Sequence, residues 1–226
     1  MSESGTLLFA RYAYPPNELG YCGPSGSGVL LSGATAEIAA RARSFEGAWA
    51  YLEFLSRSAG IPDPLDDRVV EAYWIGNDLL DLVSPASLTR FLRHRFAGQQ
   101  GGSWASADAR AVPHHSFHVF EVYPWLTLLR RTGNPSAISV LDRCRIRTGV
   151  VTAVHGPTAT VSSKPLSWES GTVVTGAARE EVVRSMPIVT PGDRVALHWD
   201  WICDILTPAQ QTTIETQEQR RLAALF

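Results

Sequence analysis

The strongest constraint on the fold is a change of hydrophobic period at Gly133-Asn134-Pro135. Before this turn signal, apolar residues recur every three or four positions, which is the spacing of one helical face. After it, short runs rich in valine, threonine and isoleucine alternate with turn residues. The chain therefore reads as α+β: a mainly α-helical N-terminal domain over residues 1–141, then a small OB-like antiparallel β-barrel with a C-terminal helix over residues 142–226.

In the first part, residues 35–59 place Ile38, Ala42, Phe45, Trp49, Leu52 and Leu55 on one face of a single helix that Gly60 ends. A second helix is expected over DDRVVEAYWIGNDLLDLV, a third over residues 86–97, and a loop over GQQGGSWASADA. A fourth begins after Pro113 and runs through HHSFHVFEVYPWLTLLRRT, kinked at Pro124. The N-terminal ARYAYPPNELGYCGPSGSGVL, dense in tyrosine, proline and glycine, reads as a structured loop laid across the helices. In the second part, IRTGVVTAV, TATVSS, GTVVTGAAREEVVRS and DRVALHWDWICDIL give four or five strands. So few strands close their edges most readily as a small barrel. The last stretch, PAQQTTIETQEQRRLAALF, returns to helical composition.

Composition narrows the function classes. With 45% apolar residues the chain can bury a sizeable core. Nowhere do about 18 apolar residues run together, and the N-terminus lacks a basic segment followed by an apolar one, so neither a membrane span nor a secretory leader is expected. Cys22, Cys144 and Cys203 are an odd number of widely spaced cysteines. They fit reduced thiols and a cytoplasmic setting better than a disulfide framework. The 20 basic and 22 acidic residues nearly cancel, and no basic stripe suggests nucleic acid.

Two segments of the barrel carry the chemistry. It opens with Cys144-Arg145-Ile146-Arg147-Thr148-Gly149-Val150-Val151, and near its end comes Pro191-Gly192-Asp193-Arg194-Val195-Ala196-Leu197-His198. A cysteine, a glycine five residues later, and a PGD turn leading a strand that ends in histidine resemble the HypC/HupF-type chaperones of NiFe-hydrogenase assembly. The resemblance covers roughly residues 142–226, including a closing segment and a helical tail. It departs from the family in that Cys144 is internal and Thr148 stands where proline is usual. The N-terminal domain is similar to a region found in uncharacterised bacterial proteins, with no activity attached.

The resemblance implies an OB-like barrel that carries iron as Fe(CN)2CO on Cys144 and His198. It implies as partners a HypD-like scaffold protein and the hydrogenase large subunit that receives the iron. A thiolate is a soft donor and imidazole an intermediate one, a pair suited to low-spin iron with strong-field ligands. On an extended strand, Arg143, Arg145 and Arg147 would favour the Cys144 thiolate through their field. If the pair shares one metal, its donor atoms should stand roughly 4 to 5 Å apart. Read this way the protein is a metallochaperone, not an enzyme.

A rival reading rests on HHSFHVFEV. On a continuous helix, His114, His118 and Glu121 share one face, with His115 to the side, and could bind a second metal and form an enzyme site with the barrel as scaffold. The plainer reading of the same residues is a polar seam in which the histidines bond carboxylates or backbone groups. Glu71, Tyr73, Trp74 and Asn77 lie along an aromatic helix that either lines a pocket or forms core with a polar rim. Cys22 reads as a buried thiol or, less simply, a metal ligand.

Overall fold

In the computed structural model, which describes residues 2–98, 102 and 109–225, helices precede a barrel and one long helix follows it. The architecture is α+β. Most of the loop expected in GQQGGSWASADA lies outside the described residues. Among them, no helix is long and apolar enough to cross a membrane.

Helix α1 spans Glu3–Glu18, N-capped by the Ser2 hydroxyl, which accepts from the Gly5 amide. This corrects the loop reading of ARYAYPPNELG. Pro15 and Pro16 sit inside the last turn of α1, where each costs a helical hydrogen bond. Burial of Phe9, Ala10, Tyr12 and Ala13 on one face of α1 outweighs that loss. The helix expected over 35–59 is two helices after a short α2 (Val29–Ser32): α3 (Thr35–Ala42) and α4 (Glu46–Ala59). The chain breaks at Phe45, whose backbone is non-helical and whose ring meets Phe9 edge-on at 5.4 Å. Gly60, left-handed at φ 67°, closes α4 as expected.

Helix α5 covers Asp67–Trp74, a 3₁₀ turn follows at Asp78–Leu82, and α6 covers Pro85–Arg95. The expected fourth helix is broken rather than kinked. It divides into a short α7 (His115–Phe117), a π-helical turn (His118–Val122) and α8 (Trp125–Thr132), with Pro124 as the N-cap of α8.

At Asn134-Pro135 the chain starts another helix. Asn134 caps α9 (Pro135–Cys144) by accepting the Ser136 amide at 2.8 Å, with Pro135 in the first turn. A boundary at 141/142 therefore falls inside α9, and Cys144 is the last residue of a helix, not part of a strand.

The strands are β1 (Arg147–His155), β2 (Thr158–Ser163), β3 (Leu166–Glu169), β4 (Thr172–Thr175), β5 (Arg179–Ser185), β6 (Arg194–His198) and β7 (Trp201–Ile205). The order β1-β2-β5-β7-β6 closes as a barrel, and β3-β4 forms a separate hairpin. All pairings are antiparallel except β5 with β7, so the expected antiparallel barrel contains one parallel pair. Val151, Ala159, Val161, Val183, Val195, Leu197 and Ile202 fill its interior. Gly149 crosses β2 so closely that a Cβ would lie 2.4 Å from Val161 Cγ1, which accounts for a glycine at that point of β1.

Helix α10 (Pro208–Leu225) returns from the barrel across the helical part. The largest core runs unbroken between the two parts, joining Phe9, Tyr73 and Phe117 to Ile146, Ala196, Cys203 and Ile214. A second core packs α8 and α9 against Leu166, Val173 and Trp199.

Candidate metal centre

Where the helical part meets the barrel, three potential ligands converge. One donor atom each from His115, Cys144 and His198 lies within 4.8 Å of the other two. His115 is brought by α7, Cys144 by the last turn of α9, and His198 by the end of β6. The site is sealed: relative exposures are 5%, 5% and 0%. For a tetrahedral ion the donors would draw in from within 4.8 Å to roughly 3.5 Å of one another, a contraction of up to about 1.3 Å.

Backbone carbonyls set the protons on both rings. His198 Nδ1 lies 2.6 Å from the Tyr12 carbonyl and His115 Nε2 lies 2.8 Å from the Cys144 carbonyl. A carbonyl only accepts, so each of those nitrogens carries the hydrogen. A ligating histidine commonly shows this arrangement, its second nitrogen anchored to a carbonyl or carboxylate. His198 Nε2 is left without a hydrogen-bond partner; the Cys144 carbonyl faces it without hydrogen-bond geometry. His115 Nδ1 accepts the Tyr73 hydroxyl at 3.2 Å, a contact that a metal would displace.

Electrostatics keep all three groups neutral. Burial pushes His115 down to about 4, with the Cys144 carbonyl bond opposing it. Burial, then the neighbouring His115, takes His198 well below the ordinary imidazole range. Near neutral pH no proton competes for either ring. The Cys144 thiol is pushed well up, by burial first and then by Cys22, while the Trp199 indole pulls the other way. A metal binding here would have to take the place of one thiol proton.

The expected help from the arginines is absent. Arg143 pairs with Asp200 at 2.9 Å, Arg145 with Asp142 at 3.0 Å and with Glu218, and Arg147 with Glu181 at 2.8 Å. Each charge is met by a carboxylate, and the helical end of α9 removes the strand geometry on which the expectation rested. The turn after His198 is strained: Trp199 has φ 52°, rare for a residue with a bulky side chain. Its amide donates to the Arg143 carbonyl at 2.7 Å, which ties the β6–β7 turn to the end of α9.

The helix-face grouping of His114, His118 and Glu121 does not form. His114 is the extended N-cap of α7 and its Nδ1 stands 2.8 Å from the Ser116 hydroxyl. His118 lies in the π turn, 3.3 Å through Nδ1 from the Tyr51 hydroxyl. Glu121, with 0% exposure, receives Arg110 at 3.0 Å and Arg221 at 3.2 Å. These are seam contacts, in which hydroxyls take the part expected of carboxylates at the two histidines and arginines hold Glu121. Tyr73 and Trp74 are core residues of α5: Trp74 packs over His115 at 4.6 Å and His198 at 5.7 Å, while Glu71 and Asn77 bond each other at the rim.

His115 is the residue that helical spacing misplaced. Its signal in the sequence is the His114-His115 doublet directly after Pro113, where a helix begins and the 3.6-residue period does not yet hold.

No curated protein and no solved structure matches this chain. The model of DUF6390, a family of unknown function, matches residues 1–225, and the chain belongs to that family.

Proposed function

We propose that this protein is a metal-carrying maturation factor of NiFe-hydrogenase assembly, which holds an Fe(CN)2CO unit on Cys144 and His198 with His115 as third ligand. The observation that carries the reading is the convergence of these donors within 4.8 Å of one another. Cys144 and His198 are the pair to which the HypC-like barrel resemblance pointed, and the helical part adds a nitrogen donor to them. Three protein ligands and three diatomic ligands complete the six positions of low-spin iron(II).

Charge also favours this cargo over a bare divalent ion. Iron(II) with two cyanides and one carbonyl is neutral, so a Cys144 thiolate makes the bound assembly anionic, whereas a bare divalent ion with one thiolate is cationic. Arg147, 2% exposed, already lowers the affinity of His198 for a proton, and its Nη1 has no hydrogen-bond partner. Although Arg147 is paired with Glu181 at 2.8 Å, its field still acts at His198 in the sense that favours an anionic occupant over a cationic one.

Delivery would proceed by ligand exchange, in which thiolates of the hydrogenase large subunit replace Cys144, with a HypD-like scaffold as the source of the unit. The test is infrared spectroscopy of the protein co-purified from cells carrying an active hydrogenase maturation system. Cyanide and carbonyl stretches are expected in the wild type and absent from Cys144→Ala and His198→Ala. A wild-type protein without those bands, with the scaffold present and active, rules the proposal out.

A further inference from the structure

A cavity of about 480 Å³ is lined by Cys22, Gly47, Phe96, His118 and Tyr123 among others. His118 is 3% exposed and its Nε2 has no hydrogen-bond partner. Gly47 keeps that nitrogen uncovered, because a Cβ there would lie 2.9 Å from it. On another wall lies Cys22, in a loop bracketed by left-handed Gly20 and Gly23, with Tyr123 lining the same cavity. The cavity thus presents one unpartnered nitrogen and one thiol.

Two lines of contact join this cavity to the triad. His118 meets the Tyr51 hydroxyl, the Tyr51 and Tyr73 rings stack at 5.5 Å, and the Tyr73 hydroxyl donates to His115. On the other side the link runs through Tyr21, the residue before Cys22. The neighbouring Tyr21 ring lies 4.3 Å from Trp199, whose indole faces Cys144. Residues 21–23 therefore form part of the wall between solvent and the buried donors.

We propose that this cavity is the loading port of the triad, in which Cys22 and His118 bind an incoming soft or borderline metal transiently and pass it to Cys144, His198 and His115. The inference rests on the reading that the triad holds metal. On entry the Cys22 thiol releases its proton to solvent and forms a metal–sulfur bond. On transfer that bond breaks, a Cys144–metal bond forms, and the Cys144 proton goes to Cys22, so no electron moves and the second step releases no net proton. A soft thiolate paired with an imidazole suits the same metals as the triad, and a weaker two-donor site gives up its metal to a three-donor one.

Stopped-flow mixing of the full-length, reduced protein with Co²⁺ tests this through the thiolate-to-cobalt absorption band. Cys22→Ser and His118→Asn are expected to reach the wild-type cobalt stoichiometry about tenfold or more slowly. Cys144→Ala is expected to lose the final spectrum while retaining a weak early one. Loading of both port variants at the wild-type rate would overturn the port and leave the triad reading intact, as would a lower final stoichiometry in Cys22→Ser, which would make Cys22 a resident ligand. A wild-type protein that takes up no Co²⁺ would overturn the port, while the Fe(CN)2CO reading of the triad stands or falls on its infrared bands. Far-UV circular dichroism controls for folding, and Cys22→Ala serves as a second variant at the less buried position.

Discussion

Acidification from pH 7 to 5.5 should remove a large part of this protein's stability, because the four histidines around the seam are buried and neutral. Burial pushes His114 and His118 down to about 3 and His115 to about 4, and holds His198 well below the ordinary range. A histidine depressed in the fold contributes stability that is fully present above its unfolded value of about 6.5 and is lost as pH falls toward the folded value. The window is therefore roughly pH 6.5 down to 4. Between pH 7 and 5.5 each such group costs about 1.2 kcal/mol, so the set costs about 5 kcal/mol. That equals the lower end of ordinary domain stabilities of about 5–15 kcal/mol.

Carboxylates lowered in the fold, such as Glu181 and Asp63, lose their contributions at lower pH still. Asp204 and Glu218, raised by burial, offset part of the loss. Urea unfolding of the metal-free protein at half-unit pH steps, followed by tryptophan fluorescence, measures the slope. A loss below about 1 kcal/mol between pH 7 and 5.5 would mean that the histidines are protonated or solvated in the fold, and would refute the sealed, neutral seam.

Other perturbations separate the structural residues from the proposed ligands. Glu121→Gln leaves Arg221, 5% exposed, without its carboxylate. It should cost about 3–5 kcal/mol in urea titrations, with cobalt stoichiometry unchanged; loss of metal at full stability would make Glu121 a ligand instead. Gly149→Val places a side chain where a Cβ already meets Val161 at 2.4 Å. Overpacking of this kind costs about 1–3 kcal/mol, measurable as a lower thermal midpoint. Tyr73→Phe removes the hydroxyl that caps His115 Nδ1. Metal affinity by competition with a chelator should rise or stay level, since a competing hydrogen bond is gone, and a fall of tenfold or more would assign Tyr73 a positioning role.

How much of this was legible in the sequence depended on where regular periodicity holds. The change of period read at residue 133 placed the passage from helices to barrel too early, because α9 (Pro135–Cys144) intervenes before β1; the barrel itself was legible, since alternation in β1 and β2 is forced by a filled interior. The Cys144–His198 pairing was legible only through spacing that resembles a known barrel. Helix α1 was hidden by Pro15 and Pro16, since local propensity weighs against them and only tertiary burial of Phe9 and Tyr12 reverses the balance. His115 was hidden for a different reason. It follows an extended N-cap, α7 spans three residues, and the next turn is π-helical, so face arithmetic based on 3.6 residues per turn grouped the wrong side chains. Contacts such as His115 with Cys144 join segments 29 residues apart through a helix end, and no local pattern encodes them.

The most direct test of the central claim is anaerobic metal titration of the purified protein combined with X-ray absorption at the metal edge. The account predicts saturation at one metal per chain, with one sulfur and two imidazole nitrogens among the ligands, and loss of that site in each of His115→Ala, Cys144→Ala and His198→Ala. Binding that survives Cys144→Ala and His198→Ala, or an edge spectrum without a sulfur ligand, would contradict it.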